Sequence, residues 1–224
     1  MSAVFITATG TDVGKTFVAR GLIRLLRGRG HKVEALKPIV SGFEPAEAEG
    51  SDAGLLLKAL GRPITMEAIA EVSPWRFALP VAPDMAAARE GRALDYRGTL
   101  DFCKAAIAAN HEALLIEGAG GLMSPIDNTH TNLDWMRALD IPIVVVAGSY
   151  LGTISHTLTA LDVLLRHGLT IAALVVSESV GSPVKLDETC QAIARFLPQV
   201  EIVALPRLPG KPEHPAFEQL AAKL

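Results

Sequence analysis

The sequence predicts an α/β fold: one domain spanning residues 1–224, with a mostly parallel central sheet flanked by helices on both faces. Three observations predict it. Short aliphatic runs alternate with helical stretches along the whole chain, the pattern that feeds right-handed crossovers into a parallel sheet. Half of the residues are hydrophobic but only 5% are aromatic, an aliphatic interior suited to strands covered on both faces. Residues capable of chemistry also fall repeatedly just after strand-like runs, where open α/β sheets bind their ligands.

The elements follow in order. Val4 to Ala8 is a strand, and Lys15 to Arg27 a helix with Phe17, Ala19, Leu22, Ile23, Leu25 and Leu26 at its apolar positions. Val33 to Leu36 is a second strand, followed by a Pro/Gly/Glu-rich loop from Pro38 to Gly50. Ser51 has the chemistry of an N-cap for a helix through Leu60. Gly61 to Pro83 is rich in proline and is expected to be an irregular surface excursion, with a helix from Tyr96 to Ala109 after it. Four apolar runs bounded by polar, Gly or Pro signals complete the sheet: Ala113 to Ile116, Ile143 to Ala147, Ile171 to Val176 and Ile202 to Leu205. Helices fit between them at Leu133 to Leu139, Thr153 to His167 and Leu186 to Phe196.

Composition excludes several classes. A net charge of -3 and a pI near 6.1 give no basic footprint for nucleic acid. The longest apolar runs fall well short of the roughly 20 residues of a spanning helix. Met1 leads straight into a strand-like run with no leader pattern, so a soluble cytoplasmic protein is expected. Cys103 and Cys190 have no metal-type spacing and, with Trp75 and Trp135, are expected to be packing residues, while His111, His130, His167 and His214 are expected at the surface or in loops.

The first strand runs into Thr9-Gly10-Thr11-Asp12-Val13-Gly14-Lys15-Thr16 and then a helix. Backbone N–H groups of such a loop favour phosphate oxygens, a lysine at the position of Lys15 reaches terminal phosphates, and the Thr16 hydroxyl can ligate Mg²⁺. Thr9 stands six residues before the lysine, where the general pattern has glycine. The strand before and the helix after supply the context that a nucleotide site needs.

Lys37 closes the second strand, and Pro38 after it places the lysine at the sheet's carboxyl edge. There it either faces a γ-phosphate or lies in water. Asp52 follows Ser51 at a helix start, where it serves as a capping-turn acid or as a ligand. Glu117 stands at the tip of the run Ala113 to Ile116, ahead of Gly118-Ala119-Gly120-Gly121. It corresponds to the metal-holding acid of phosphate-loop proteins. Thr16, Asp52 and Glu117 would give Mg²⁺ three oxygens, with phosphate and water completing its shell.

Taken together, Lys37-Pro38-x-x-Ser41-Gly42, Ser51-Asp52-Ala53, Glu117-Gly118-Ala119-Gly120-Gly121 and Leu151-Gly152-Thr153-Ile154-Ser155-His156, with the phosphate loop, resemble the dethiobiotin synthetase family. The likeness runs to about Glu213. It implies a P-loop NTPase fold and a homodimer whose diamine site lies near the subunit interface. It also implies a Mg²⁺- and ATP-dependent reaction of diaminopelargonic acid with carbon dioxide, by way of a carbamate and a carbamic–phosphoric anhydride. Lys15 and Lys37 are implied as the catalytic charges. Asp12, Val13, Gly14, Lys15, Thr16, Phe17, Asp52, Glu117, Gly118, Ala119 and Gly120 are implied around the nucleotide. Ser177, Glu178, Pro206, Arg207, Leu208 and Glu213 are implied around its base. Ser41, Thr153, Ile154 and Ser155 would bind substrate, the last three through free backbone N–H groups at a helix start. The residues depart from the family pattern at Ala8 and Asp12 in the loop, at Ser177 in place of an adenine-binding asparagine, at Asp84 and at Ser155.

Two rival readings fit less well. A MinD-like, partner-regulated ATPase would carry a further lysine early in its phosphate loop, where Thr9 and Gly10 stand, and a basic C-terminal amphipathic helix, whereas Pro215 to Leu224 holds only Lys223. A cobyrinate-type amidotransferase synthetase would need a glutaminase domain that the residues after Cys190 are too few to form.

Overall fold

A computed structural model describes residues 3–109, 111–208 and 213–224. Its main sheet has six strands: β1 (Ala3–Ala8), β2 (Val33–Leu36), β5 (Ala113–Glu117), β6 (Ile143–Gly148), β7 (Ile171–Ser177) and β8 (Ile202–Leu205). They lie in the order β2-β5-β1-β6-β7-β8, and every pairing between them is parallel. β1 is therefore central, with the register Ala3 opposite Leu114 on one side and Phe5 opposite Ile143 on the other.

The period-two alternation of β1 divides the core. Val4, Ile6 and Ala8 face a layer made by α1 (Lys15–Gly28), α2 (Asp52–Leu60) and α9 (Pro215–Ala221). Phe5 faces the opposite layer, which includes α5 (Tyr96–Ala108), α6 (Asn132–Leu139), α7 (Thr153–Arg166) and α8 (Leu186–Ala194). There it meets the fully buried Trp135 edge-on, with ring centroids 5.5 Å apart. In the first layer, Phe217 packs against α1 where Gly21 offers no side chain, and a Cβ there would stand 2.0 Å from the ring. Cys103 is fully buried, and Cys190 and Trp75 pack against the second layer. His167 is exposed, and His111, His130 and His214 are partly so. No helix among the described residues is long and apolar enough to cross a membrane.

The predicted strands and helices of this frame match the structure to within two residues at their ends. Ser51 is the N-cap of α2, accepting from the Gly54 N–H at 3.1 Å. Two stretches differ. The expected loop from Pro38 to Gly50 contains β3 (Ile39–Ser41) and a 3-10 turn over Pro45–Gly50. The expected irregular excursion from Gly61 to Pro83 contains α3 (Met66–Val72) and β4 (Trp75–Phe77) and ends at the first residue of α4 (Pro83–Arg89). β3 and β4 pair in parallel as a small second sheet. Both are three residues long, too short to show alternation, and their apolar residues pack into the larger core, Ile39 and Phe77 in one cluster and Val40 in another. Nor is the excursion superficial: Ile69, Val72 and Ser73 are fully buried.

Candidate functional site

The phosphate loop occupies the turn between β1 and α1. Two residues there take the left-handed conformation, Asp12 at φ 58° and Gly14 at φ 103°. Aspartate tolerates that region better than most residues. Gly14 is the N-cap of α1 and has no side-chain cap, so the first N–H groups of the helix are left for a ligand. Lys15 folds back and donates to the Gly10 carbonyl at 3.1 Å. Burial, reinforced by the nearby Lys37 charge, lowers its pKa to about 8.

The carboxylates arrive from the two neighbouring segments. Asp52 stands in the first turn of α2, and Glu117 ends β5, next to β1. The Thr16 hydroxyl lies 2.8 Å from Asp52 Oδ1 and 2.7 Å from Glu117 Oε1. A hydroxyl has one hydrogen and cannot serve both oxygens fully. Glu117 Oε2 is buried without a hydrogen-bond partner. Among the described residues no three His, Cys, Asp or Glu side chains gather to hold a metal. The hard donors on hand are two carboxylates and one hydroxyl, a set that suits a cation completing its shell with phosphate and water.

Lys37 lies directly after β2, its ammonium 2.5 Å from Glu117 Oε1, 3.0 Å from Asp52 Oδ2 and 3.5 Å from the Gly118 carbonyl. Its side chain is 6% exposed, and that of Glu117 1%. Burial opposes its charge, but the two carboxylates prevail and hold its pKa above the ordinary lysine value. Burial likewise opposes ionisation of Asp52, and Lys37 and Thr16 outweigh it, keeping that carboxyl below its usual range.

These groups line one end of a cavity of about 600 Å³. Ser41 lines it as well, with a buried hydroxyl that has no partner. Pro80 to Pro83 contribute apolar lining, and Ala119 and Gly120 line the cavity as well. A second cavity of about 420 Å³ adjoins it through Asp12, Gly14 and Phe17. Val13, Ser177, Glu178, Pro206, Arg207 and Leu208 enclose that one. Glu178 accepts from the Arg207 N–H at 2.9 Å, which ties the end of β7 to the loop after β8.

The sequence-predicted residues thus converge, with three exceptions. Gly118 lines neither cavity, although its carbonyl lies 3.5 Å from the Lys37 ammonium. Glu213 is exposed and lines neither cavity. Thr153, Ile154 and Ser155 also line neither. The expectation of free backbone N–H groups there fails at Thr153, whose N–H donates to the Tyr150 carbonyl at 3.1 Å and whose hydroxyl donates to Gly148.

Sequence reasoning missed the supports. Asn132 is fully buried and donates to the carbonyls of Ala119 and Gly121, at 2.5 and 2.7 Å, holding the glycine-rich turn in place. Ser124 accepts from the Gly121 N–H at 2.8 Å. Ser73 donates to the Lys37 carbonyl. A polar residue beside a glycine-rich turn was the one available signal, and it was present for Ser124 alone.

Comparison with known proteins gives a consistent picture. An AAA domain family model matches residues 2–213. The ATP-dependent dethiobiotin synthetase BioD of Acidiphilium cryptum is 48% identical over 198 residues, covering 88% of this chain and 89% of that protein. The ATP-dependent dethiobiotin synthetase BioD of Caulobacter vibrioides is 48% identical over 208 residues, covering 92% and 93%. Among solved structures, the cell division ATPase MinD of Pyrococcus furiosus superposes with a TM-score of 0.58 over 100% of this chain and 98% of its own, at 16% identity. At that identity the likeness extends to the fold alone.

Proposed function

The chain belongs to the dethiobiotin synthetase family, and from that premise we propose that it closes the ureido ring of dethiobiotin from diaminopelargonic acid, carbon dioxide and ATP. The observation that carries this reading is the convergence of two buried ammonium groups and three oxygen donors at one end of a 600 Å³ cavity.

One amine of the diamine takes up carbon dioxide and loses a proton to give a carbamate. A carbamate oxygen then attacks the γ-phosphorus, and ADP leaves. The second amine attacks the carbonyl carbon of the resulting carbamic–phosphoric anhydride, phosphate departs and the ring closes. The substrates supply every nucleophile, so the chain's task is position and charge. An anionic carbamate has to approach an anionic phosphate, and in a partly dry site fixed cations offset that repulsion far better than water does.

Lys15 is the cation for the terminal phosphates, which replace the Gly10 carbonyl as its acceptors. Lys37 faces the attacking oxygen, and the Ser41 hydroxyl, buried and without a partner, is the donor available to the carbamate. Thr16, Asp52 and Glu117 would hold Mg²⁺, which when bound neutralises charge on the β- and γ-phosphate oxygens. Uncapped N–H groups at the start of α1 take up the remaining phosphate oxygens. The base belongs in the second cavity beside Ser177, Glu178 and Arg207, and the apolar lining from Pro80 to Pro83 suits the substrate's aliphatic chain.

The substrate's remote carboxylate is assigned to the start of α7, at the N–H groups of Ile154 and Ser155, since the N–H and hydroxyl of Thr153 are engaged within the chain. Because these residues line neither cavity of their own chain, the assignment requires α7 of a second copy, hence a homodimer with the diamine at its interface. Leu151, 86% exposed, and Met123, 53% exposed, are apolar surface that such a partner would cover. We read residues 1–224 as one catalytic unit acting in the cytoplasm.

The test is phosphate release from Mg·ATP with and without diaminopelargonic acid and bicarbonate. Release that requires both and matches dethiobiotin formed mole for mole is expected. Release indifferent to the diamine would overturn the reading.

A further inference from the structure

We propose that Lys37 is the placeholder for the divalent cation: in the nucleotide-free protein its ammonium holds the Asp52 and Glu117 carboxylates, and the metal takes them only when a triphosphate draws the ammonium away. This rests on the reading of Thr16, Asp52 and Glu117 as metal donors and concerns how that site is controlled.

The geometry is specific. Three of the four carboxylate oxygens are already engaged, Glu117 Oε2 being the one without a partner: Thr16 bridges the two carboxylates, and the Lys37 ammonium touches one oxygen of each. Glu117 Oε1 carries both contacts, from Thr16 at 2.7 Å and from Lys37 at 2.5 Å. An ammonium and a hard dication select the same oxygen ligands, so the two compete for Glu117 Oε1 directly.

Displacement without a substitute acceptor is unfavourable. A lysine side chain only 6% exposed would be left as a buried, unpaired cation beside an incoming dication, which is strongly destabilising. Phosphate oxygens remove that penalty. They offer Lys37 a new anionic partner in the same cavity, which both lysines line, and they add ligands for the metal. The affinity of each ligand thereby rises with occupancy by the other, and the coupling is reciprocal. Movement is confined to the side chain, because the Lys37 N–H donates to the Val72 carbonyl at 3.0 Å and its carbonyl accepts from Ser73 at 2.6 Å.

The experiment uses Mn²⁺ as the probe and water-proton relaxation as the readout, since relaxation distinguishes protein-held Mn²⁺ from Mn²⁺ on free nucleotide. Wild type and Lys37→Met are titrated with Mn²⁺ alone, and wild type also with a non-hydrolysable ATP analogue. Lys37→Met is expected to bind Mn²⁺ alone at least fivefold more tightly than wild type, and wild type to hold Mn²⁺ once the analogue is present. A ratio below fivefold overturns the placeholder role and leaves the metal reading standing. Wild type that holds no Mn²⁺ even with the analogue overturns the metal reading itself.

If Lys37→Met does not fold, the ¹⁵N-labelled lysine ammonium signals of wild type decide, with that of Lys37 identified by its loss in Lys37→Arg. The Lys37 signal is expected to stay in place with Mg²⁺ alone and to shift with Mg²⁺ and the analogue together. A shift with Mg²⁺ alone, or none with both, overturns the proposal.

Discussion

Ser73 donates a 2.6 Å hydrogen bond to the carbonyl of Lys37, 36 residues away, so the site's second lysine is held at its backbone by a segment that carries no chemistry. The Ser73 hydroxyl is fully buried. Ser73→Ala leaves the Lys37 carbonyl without this donor, and a loss of about 1–2 kcal/mol in stability is expected. Urea denaturation measures it. In steady-state assays kcat should fall while KM for ATP changes little, because Lys15 and the phosphate loop are untouched. Unchanged kcat would show that the end of β2 holds Lys37 unaided.

Thr16→Val keeps the shape of the side chain and removes the hydroxyl between Asp52 and Glu117. Turnover should drop by at least roughly 100-fold, the upper range for losing a group that orders metal ligands. The thermal midpoint should move little, since Thr16 is only partly buried. Activity within threefold of wild type would remove Thr16 from the metal set.

Lys15 gives a pH dependence whose sign follows from its depressed pKa of about 8. Below that pH the free protein already carries the charge that phosphates need. Above it, binding has to restore a proton, so affinity for the triphosphate is expected to weaken by about tenfold per pH unit. Calorimetry at pH 9 in two buffers of different ionisation enthalpy should register uptake of nearly one proton, and Lys15→Met should abolish it. Folding has a linked sign. Between about pH 8 and the ordinary lysine value of 10.5 the unfolded chain holds the extra proton, so this group makes the free protein more stable as pH rises.

Gly14→Ala tests the left-handed cap of α1. At φ 103° the new methyl group is strained, and it would stand 3.1 Å from Ser177 Oγ. A destabilisation of about 1–3 kcal/mol is expected, together with weaker nucleotide binding because both cavities meet at this residue. Binding and stability equal to wild type would mean that the loop relaxes freely.

The sheet was legible because its strands are buried on both faces, which writes a continuous apolar run at Ile143 to Gly148 and elsewhere. The chemistry was legible where spacing along a single turn decides position, as in Gly14-Lys15-Thr16. Long-range supports were not. Nothing local marks Ser73 as a partner of Lys37 or Asn132 as the clamp on Ala119 and Gly121, because each bond exists only after distant segments meet. β3 and β4 escaped for a related reason: strands of three residues are too short to carry a pattern of their own, and they pair only after distant segments meet. Thr153 to Ser155 show the converse, a motif that was recognisable in sequence but has no place in the cavities of a single chain.

The central position of β1 governs how the polypeptide can be made. Its two neighbours, β5 and β6, begin at Ala113 and Ile143, so during synthesis the strand leaves the ribosome long before anything exists to pair with it. For that interval Ala3–Ala8, every residue of which ends up buried, is a bare apolar segment with two open edges. Nascent chains halted before β6 should therefore bind chaperones and resist no protease. Nucleotide capture should begin only once β6 has emerged, although the segments from β1 to β5 have by then already delivered Lys15, Thr16, Lys37, Asp52 and Glu117.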